Sequence, residues 1–279
     1  MVTDKDSFRA KKLEILRSFC LFDDAFFSKC LDGGNECVEL ILSIILGRND
    51  LKVVNTRTQE FIANVTEHSV ALDIFAEDGC GRIYDIEIQQ SEAGADRKRA
   101  RFYSSMIDSD QLSKGRKYSE VPETYVIFIT ESDVMKKGDS VYFIERCIMN
   151  TGELFGDESH IVYVNGAYRD DSSIGRLMHD FSCRNADEMH YKVLRDRVKF
   201  FKESKEGRDT MSKAMEDFGR LYEKRGEING ETRKARDVAL RLLSGVKYKY
   251  TAEEIADISG LDLEEVRKLQ EGKASDSAN

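Results

Sequence analysis

The stretch from Val70 to Gln89 limits what this chain can fold into more than any other part of it. Two alternating runs, Val70–Ala76 and Arg82–Gln89, flank Glu77-Asp78-Gly79-Cys80-Gly81, whose residues tolerate unusual backbone angles. The pattern predicts a β-hairpin. Period-2 alternation sets Val70, Leu72 and Ile74 on one face of the first strand and Ala71, Asp73 and Phe75 on the other. In the second strand Tyr84, Ile86 and Ile88 share one face, and Asp85, Glu87 and Gln89 share the opposite one. A loop centred near Gly79 or Cys80 brings Asp73 across from Asp85 or Glu87, with the Gln89 amide beside them. Such carboxylates are either the wet face of an ordinary hairpin or a site for a hard divalent cation. Ala71 and Phe75 flank Asp73, and the neighbouring segments are rich in Ile and Val. A sheet covered on both faces is expected, where a carboxylate needs a metal or a partner.

Around this hairpin the chain alternates helical and extended signals. Apolar residues at helical spacing predict a helix from about Ser7 to Leu21, and a second from Asn35, as N-cap, to Leu46, stopped by Gly47. Leu51–Thr56 reads as a strand, followed by Glu60-Phe61-Ile62-Ala63. A helix over Asp96–Met106 carries Arg97, Lys98, Arg99 and Arg101, with Arg97 and Arg101 projecting together. These cations are a solvated face or a phosphate-holding one, and Tyr103 is core or a contact to a nucleic-acid backbone. Tyr125–Thr130 is the run of a strand buried on both faces, and Val141–Met149 and His160–Val164 read as further strands. Together these elements predict an α/β core with a mixed sheet.

From about Ser172 the signal is helical. One stripe holds Ile174, Leu177, Met178 and Phe181, another Tyr191, Leu194, Val198 and Phe201, each for packing against the core or a second subunit. Two regions are expected, 1–205 and a helical 206–279. Within the second, Arg208–Leu243 is a long exposed helix or a dimerisation arm, and Thr251–Leu269 has the rhythm of a helix-turn-helix. The second of its helices opens with carboxylates, which favours docking over sequence reading. The tail Ala274–Asn279 is expected to be disordered.

Composition narrows the functions further. With 41% hydrophobic and 34% charged residues the chain reads as a globular protein, and its longest apolar run, Val38–Leu46, is broken by Glu39 and Ser43. The N-terminus lacks the plan of a signal peptide. The six cysteines are scattered without a CxxC pair, so reduced thiols and a cytoplasmic location are expected, with no membrane partner. The four histidines are equally dispersed, which argues against a zinc site. A net charge of −9 argues against a generic nucleic-acid binder, though not against a nuclease with positive charge gathered in one groove.

Asp73 followed by Glu87-Ile88-Gln89, with a helical Glu36 before and an Arg-rich helix after, resembles the PD-(D/E)XK nuclease superfamily. More narrowly it is similar to the recombination-promoting nuclease and transposase branch. L-D-I-F-A, Y-D-I-E-I-Q, R-A-R-F-Y-S-S-M-I-D, E-T-Y-V-I-F-I-T-E-S-D, V-Y-V-N-G-A-Y and L-M-H-D-F carry the likeness from about Phe22 to Phe201. The resemblance implies a restriction-endonuclease-like core and Mg²⁺-dependent cleavage of DNA, with Mn²⁺ as a substitute. It implies metal ligation by Asp73, Glu87 and the Ile88 carbonyl, with Glu36 joining the site and Glu39 as second choice. Asp85 is a candidate auxiliary ligand. Placed directly after the acidic strand, Arg97, Lys98 and Arg101 are the expected DNA contacts, and a homodimer through the helical C-terminal region would supply the two sites that cutting a duplex needs. The superfamily motif ends in Lys, where Gln89 stands here. Its amide can position a water but supplies no charge and cannot act as a base. Slow cleavage is expected, or a nuclease fold kept for binding DNA or protein.

Overall fold

A computed structural model of the chain describes residues 13–62, 70–90, 92–112, 117–215, 251–259, 263, 266, 267 and 269. The chain divides into two compact units, Met1–Ala214 and Met215–Asn279.

The first unit is built on the predicted hairpin. Its strands are β2 (Val70–Asp78) and β3 (Ile83–Gln89). Asp78 closes the turn: one carboxylate oxygen accepts the amides of Cys80 and Arg82, and the other accepts the Tyr84 hydroxyl and the Arg82 guanidinium. Gly81 holds φ +79°, a left-handed angle that costs glycine nothing. Strand β1 (Val53–Ile62) joins the two expected extended pieces into one and pairs antiparallel with β2.

The sheet has six strands in the order β1-β2-β3-β4-β6-β5, with β4 at Thr124–Thr130, β5 at Val141–Ile144 and β6 at Ser159–Asn165. Neighbours β3, β4 and β6 run parallel, and the outer pairs are antiparallel, so the sheet is mixed as expected. The predicted Val141–Met149 strand is shorter, because beyond Ile144 the chain leaves the sheet and Cys147 pairs with Leu154 in an isolated bridge.

Helix α1 (Asp24–Leu31) and helix α2 (Asn35–Leu46) contact β1. Asn35 is not the N-cap of α2: Gly34 is, with no side-chain cap, and the Asn35 amide donates instead to the Val54 carbonyl. Helix α3 (Arg97–Gln111) is capped by Asp96, whose carboxylate accepts the amides of Lys98 and Arg99. It sets Ala100, Tyr103, Met106 and Ile107 against Ile83, Val126, Phe128 and Tyr163 of the sheet. The alternate residues Ile86, Ile88, Ile127, Ile129, Val162 and Val164 turn to the opposite face and are also buried. Each such side chain is worth about 1.5–3 kcal/mol when fully buried, so the double cover explains the near-continuous apolar strands.

Helices α4 (Ser173–Ser182) and α5 (Lys192–Glu203) bury Leu177, Met178, Phe181, Leu194, Val198 and Phe201. Both pack on α2, which settles the two apolar stripes as core. Lys202 on α5 is buried, and its ammonium donates to the carbonyls of Arg17, Phe19 and Arg184. The expected start of the C-terminal region at 206 falls inside a helical stretch, 205–215.

In the second unit, α6 (Ala252–Ser259) begins with a capping box in which the Thr251 hydroxyl accepts the Glu254 amide and the Glu254 carboxylate accepts the Thr251 amide. Ile255 and Val266 are buried there against Ala252, Ala256 and Leu269. Most of the expected 208–243 helix, the turn of the helix-turn-helix pattern and the tail 274–279 lie outside the described residues. No described helix is long and apolar enough to cross a membrane.

Candidate active site

The site forms where the hairpin strands part. Backbone pairing of β2 with β3 ends at Ile74↔Ile86, and continuing that register sets Asp73 opposite Glu87. Side chains take over there. Glu87 Oε1 accepts the Asp73 amide at 2.9 Å, and Asp73 Oδ2 accepts the Ile88 amide at 3.1 Å. Asp85 lies two residues before Glu87 on the same face of β3, and its carboxyl group meets that of Glu87, with no N–H donor on either oxygen. Glu87 and Asp85 are fully buried, and Asp73 is 9% exposed.

Three carboxyl groups in such a place resist ionisation. Burial raises all three well above the usual carboxylate range, and their charges reinforce it: Glu87 acts on Asp73, Asp73 on Asp85, and Asp85 on Glu87. Among the described residues one cation answers them. The Arg99 guanidinium of α3 donates to Glu87 Oε2 at 3.1 Å, to the Tyr103 hydroxyl at 2.7 Å and to the Gly94 carbonyl at 2.9 Å. Its approach to Gln89 Oε1 is longer, 3.4 Å. Burial works against the charge of Arg99, but Tyr103 and Glu87 outweigh it and hold the guanidinium above its ordinary value. Gln89 is held from the other side by Gly94, where a Cβ would come within 1.9 Å of Gln89 Oε1.

Gln59 of β1 completes the floor. It has φ +53°, a strained angle for a residue with a side chain, costing on the order of 1 kcal/mol. Its amide donates to Ser28 Oγ at 3.2 Å and approaches Asp73 Oδ1 at 3.5 Å. Asp24, in the first turn of α1, is close enough for its charge to add to the rise of Asp73.

Asp73, Asp85, Glu87, Ile88 and Gln89 therefore come together, while Glu36 does not. It is exposed on the first turn of α2 and lines a cavity of about 560 Å³ with Lys192, Arg197 and Phe200. The reason is helical phase: Cys37, Val38 and Ile41 take the buried side of α2 and turn Glu36 outward. The second choice, Glu39, is structural, accepting the Val53 amide at 3.0 Å and pairing with Lys52. The helical carboxylate that reaches the site is Asp24. Arg97, Lys98 and Arg101 are exposed on α3, and the arginine facing the carboxylates is Arg99. The signal for it was the buried spacing Tyr103, Met106 and Ile107, which places Arg99 one turn earlier on the same stripe. Tyr103 is core, its hydroxyl engaged by Arg99.

A mixed six-stranded sheet flanked by helices, with paired acids on its diverging strands, defines a restriction-endonuclease-like α/β fold. Residues 33–167, which hold Asp73, Glu87 and Gln89, match the family described as PD-(D/E)XK nuclease family transposase, so that segment is similar to this family. No curated protein and no solved structure matches the chain.

Proposed function

We propose that this chain is a divalent-metal-dependent DNA endonuclease of the recombination-promoting, transposase-related kind. The observation that carries this reading is the mutual insertion of Asp73 and Glu87 between β2 and β3, which brings two carboxylates to one spot. A metal fits there. Asp85, fully buried beside Glu87 with no N–H donor on either oxygen, marks a surplus of hard oxygen donors that Arg99 alone does not balance. Asp73, Glu87 and the Ile88 carbonyl would hold Mg²⁺, or Mn²⁺ in its place, because such ions take oxygen ligands. When bound, the ion would acidify a water and neutralise charge on the scissile phosphate.

The chain's own groups divide the remaining work. Gln89 orients the attacking water by hydrogen bonds. Arg99 supplies the positive charge that Gln89 lacks, at the edge where charge builds on the phosphate. Arg97, Lys98 and Arg101, exposed on the same helix, hold neighbouring phosphates of the DNA. A cytoplasmic location and pairing of two copies through residues 206–279 belong to this reading, since cutting both strands of a duplex takes two sites.

A second reading, a nuclease fold retained to bind DNA or protein, is favoured by one contact: Arg99 already neutralises Glu87 and so competes with a metal. Nicking of supercoiled plasmid by purified protein separates the two. Cleavage that needs Mg²⁺ and disappears in Asp73→Ala and Glu87→Ala is expected; equal activity in parent and variants removes the catalytic reading.

A further inference from the structure

We propose that the hairpin arm between β5 and β6, residues 143–158, is a contact surface for a second copy of this chain. Past Ile144 the chain leaves the sheet as a two-stranded ribbon. The Phe155 amide donates to the Arg146 carbonyl at 2.9 Å, the Ile148 amide donates to the Glu153 carbonyl at 2.8 Å, and Cys147 bridges Leu154. Gly152, at φ +75°, turns the chain at the tip. All sixteen residues of the arm are exposed. A ribbon that buries nothing is marginal in water. This one nevertheless carries Phe143, Ile144, Ile148, Met149, Leu154 and Phe155, each between 38% and 85% exposed.

The register sorts these residues onto two faces. Cys147 and Leu154 stand opposite each other and share a face, and Cys147 Sγ lies 3.8 Å from Met149 Sδ, which sets Met149 on it too. Alternation along the strand adds Phe143. The acid on that side, Glu145, is held by His160 Nδ1 at 2.7 Å. Arg146, Ile148, Glu153 and Phe155 turn the other way, and Arg146 pairs with Asp157. One face of the arm is therefore apolar and the other mixed.

Charge and area choose the occupant. The arm holds Glu145, Glu153, Asp157 and Glu158 against Arg146 alone, which repels a phosphate backbone. A face that is apolar along its length is its own complement, so it suits a two-fold contact in which the arm of each copy lies on that of the other. Its four side chains, at about 100 Å² of exposed surface each, come with covered backbone and neighbours to about 600 Å² per copy. Two copies then bury about 1,200 Å², the area at which specific interfaces begin. The contact is separate from the pairing proposed for residues 206–279. It needs neither metal nor DNA, so it and the nuclease reading can fail independently.

Sedimentation equilibrium of the full chain at micromolar concentration, in chelator and without DNA, tests the contact. Met149→Glu combined with Leu154→Glu should halve the parent mass. The dissociation constant should rise by about a hundredfold or more, because each new charge is buried twice in a two-fold contact. Phe155→Glu, on the opposite face, should keep the parent mass. In a Cys80→Ser background, which removes an exposed thiol, a short bis-maleimide should join two copies through Cys147. A single-chain mass in the parent assigns the arm to another partner and overturns the contact. So does a parent mass retained in the double variant, halving by Phe155→Glu, or no cross-link at Cys147.

Discussion

The amide of Asp73 donates to the carboxylate of Glu87 at 2.9 Å, so the residue that opens the motif is positioned by the one that continues it. Each of the two acids takes an amide of the opposite strand, Glu87 that of Asp73 and Asp73 that of Ile88. The parting of the strands and the meeting of the carboxylates are one event.

Neutral replacements of near-equal shape follow from this. Asp73→Asn and Glu87→Gln should each lower Mg²⁺-dependent nicking by about 10²–10⁴-fold, the range expected when a charge acting in the transition state is lost. The metal-free proteins should stay folded, because an amide oxygen still accepts the opposite backbone N–H. Rates and circular dichroism measured together check it; full activity in either variant removes the pair from the chemistry.

Stability should depend on pH in an unusual direction. Asp73, Asp85 and Glu87 have folded-state pKa values raised well above the usual range, chiefly by burial. The folded chain therefore keeps protons that the unfolded chain releases near pH 4. The stability these groups contribute is complete below about pH 4 and is lost as pH rises toward their raised values. In chelator, Tm of the parent minus Tm of Asp85→Asn should fall as pH is raised from about 4 toward neutrality, and Mg²⁺ should reverse part of that fall. Parallel curves would contradict it.

Arg99 and Arg101 should separate chemistry from binding. Arg99→Ala is expected to slow single-turnover cleavage by about 10–100-fold with little change in DNA affinity. It should also cost about 1–2 kcal/mol of stability, a buried-pair figure reduced because the Arg99 side chain is 35% exposed. Arg101→Ala should weaken DNA binding uniformly and reduce the salt slope by about 1, with the bound-state rate kept. A reversal of the two profiles would exchange their roles.

Gly94→Ala should act on Gln89 alone. The new Cβ would fall 1.9 Å from Gln89 Oε1, the free end of a flexible side chain, which swings aside at a cost below about 1.5 kcal/mol. Cleavage should drop while the unfolding midpoint barely moves. Parent activity in this variant would show that Gln89 orients nothing.

Much of this was written in strand periodicity. The alternation of Val70–Ala76 and Arg82–Gln89 fixed which acids share a face, and the unbroken apolar run at Tyr125–Thr130 announced a strand covered on both sides. What depended on helical phase against the sheet was not legible. Glu36 and Asp24 are both acids in the first turn of a helix, and only packing decides which one faces Asp73. Arg97, Arg99 and Arg101 crowd five positions, and the burial of Tyr103 and Ile107 selects the middle one. Gln59 owes its place to a left-handed backbone angle that no propensity foretells.

The ammonium of Lys202 also sets a practical limit on dissecting the molecule. Carbonyls from Arg17 and Phe19 on one side, and Arg184 on the other, form its cage. A fragment that starts after Phe19 but keeps α5 would strand the Lys202 charge, and one that ends before Lys202 would leave the carbonyls of Arg17, Phe19 and Arg184 without that donor. The shortest piece able to stand by itself therefore reaches beyond 33–167 in both directions, from at least Arg17 through Lys202.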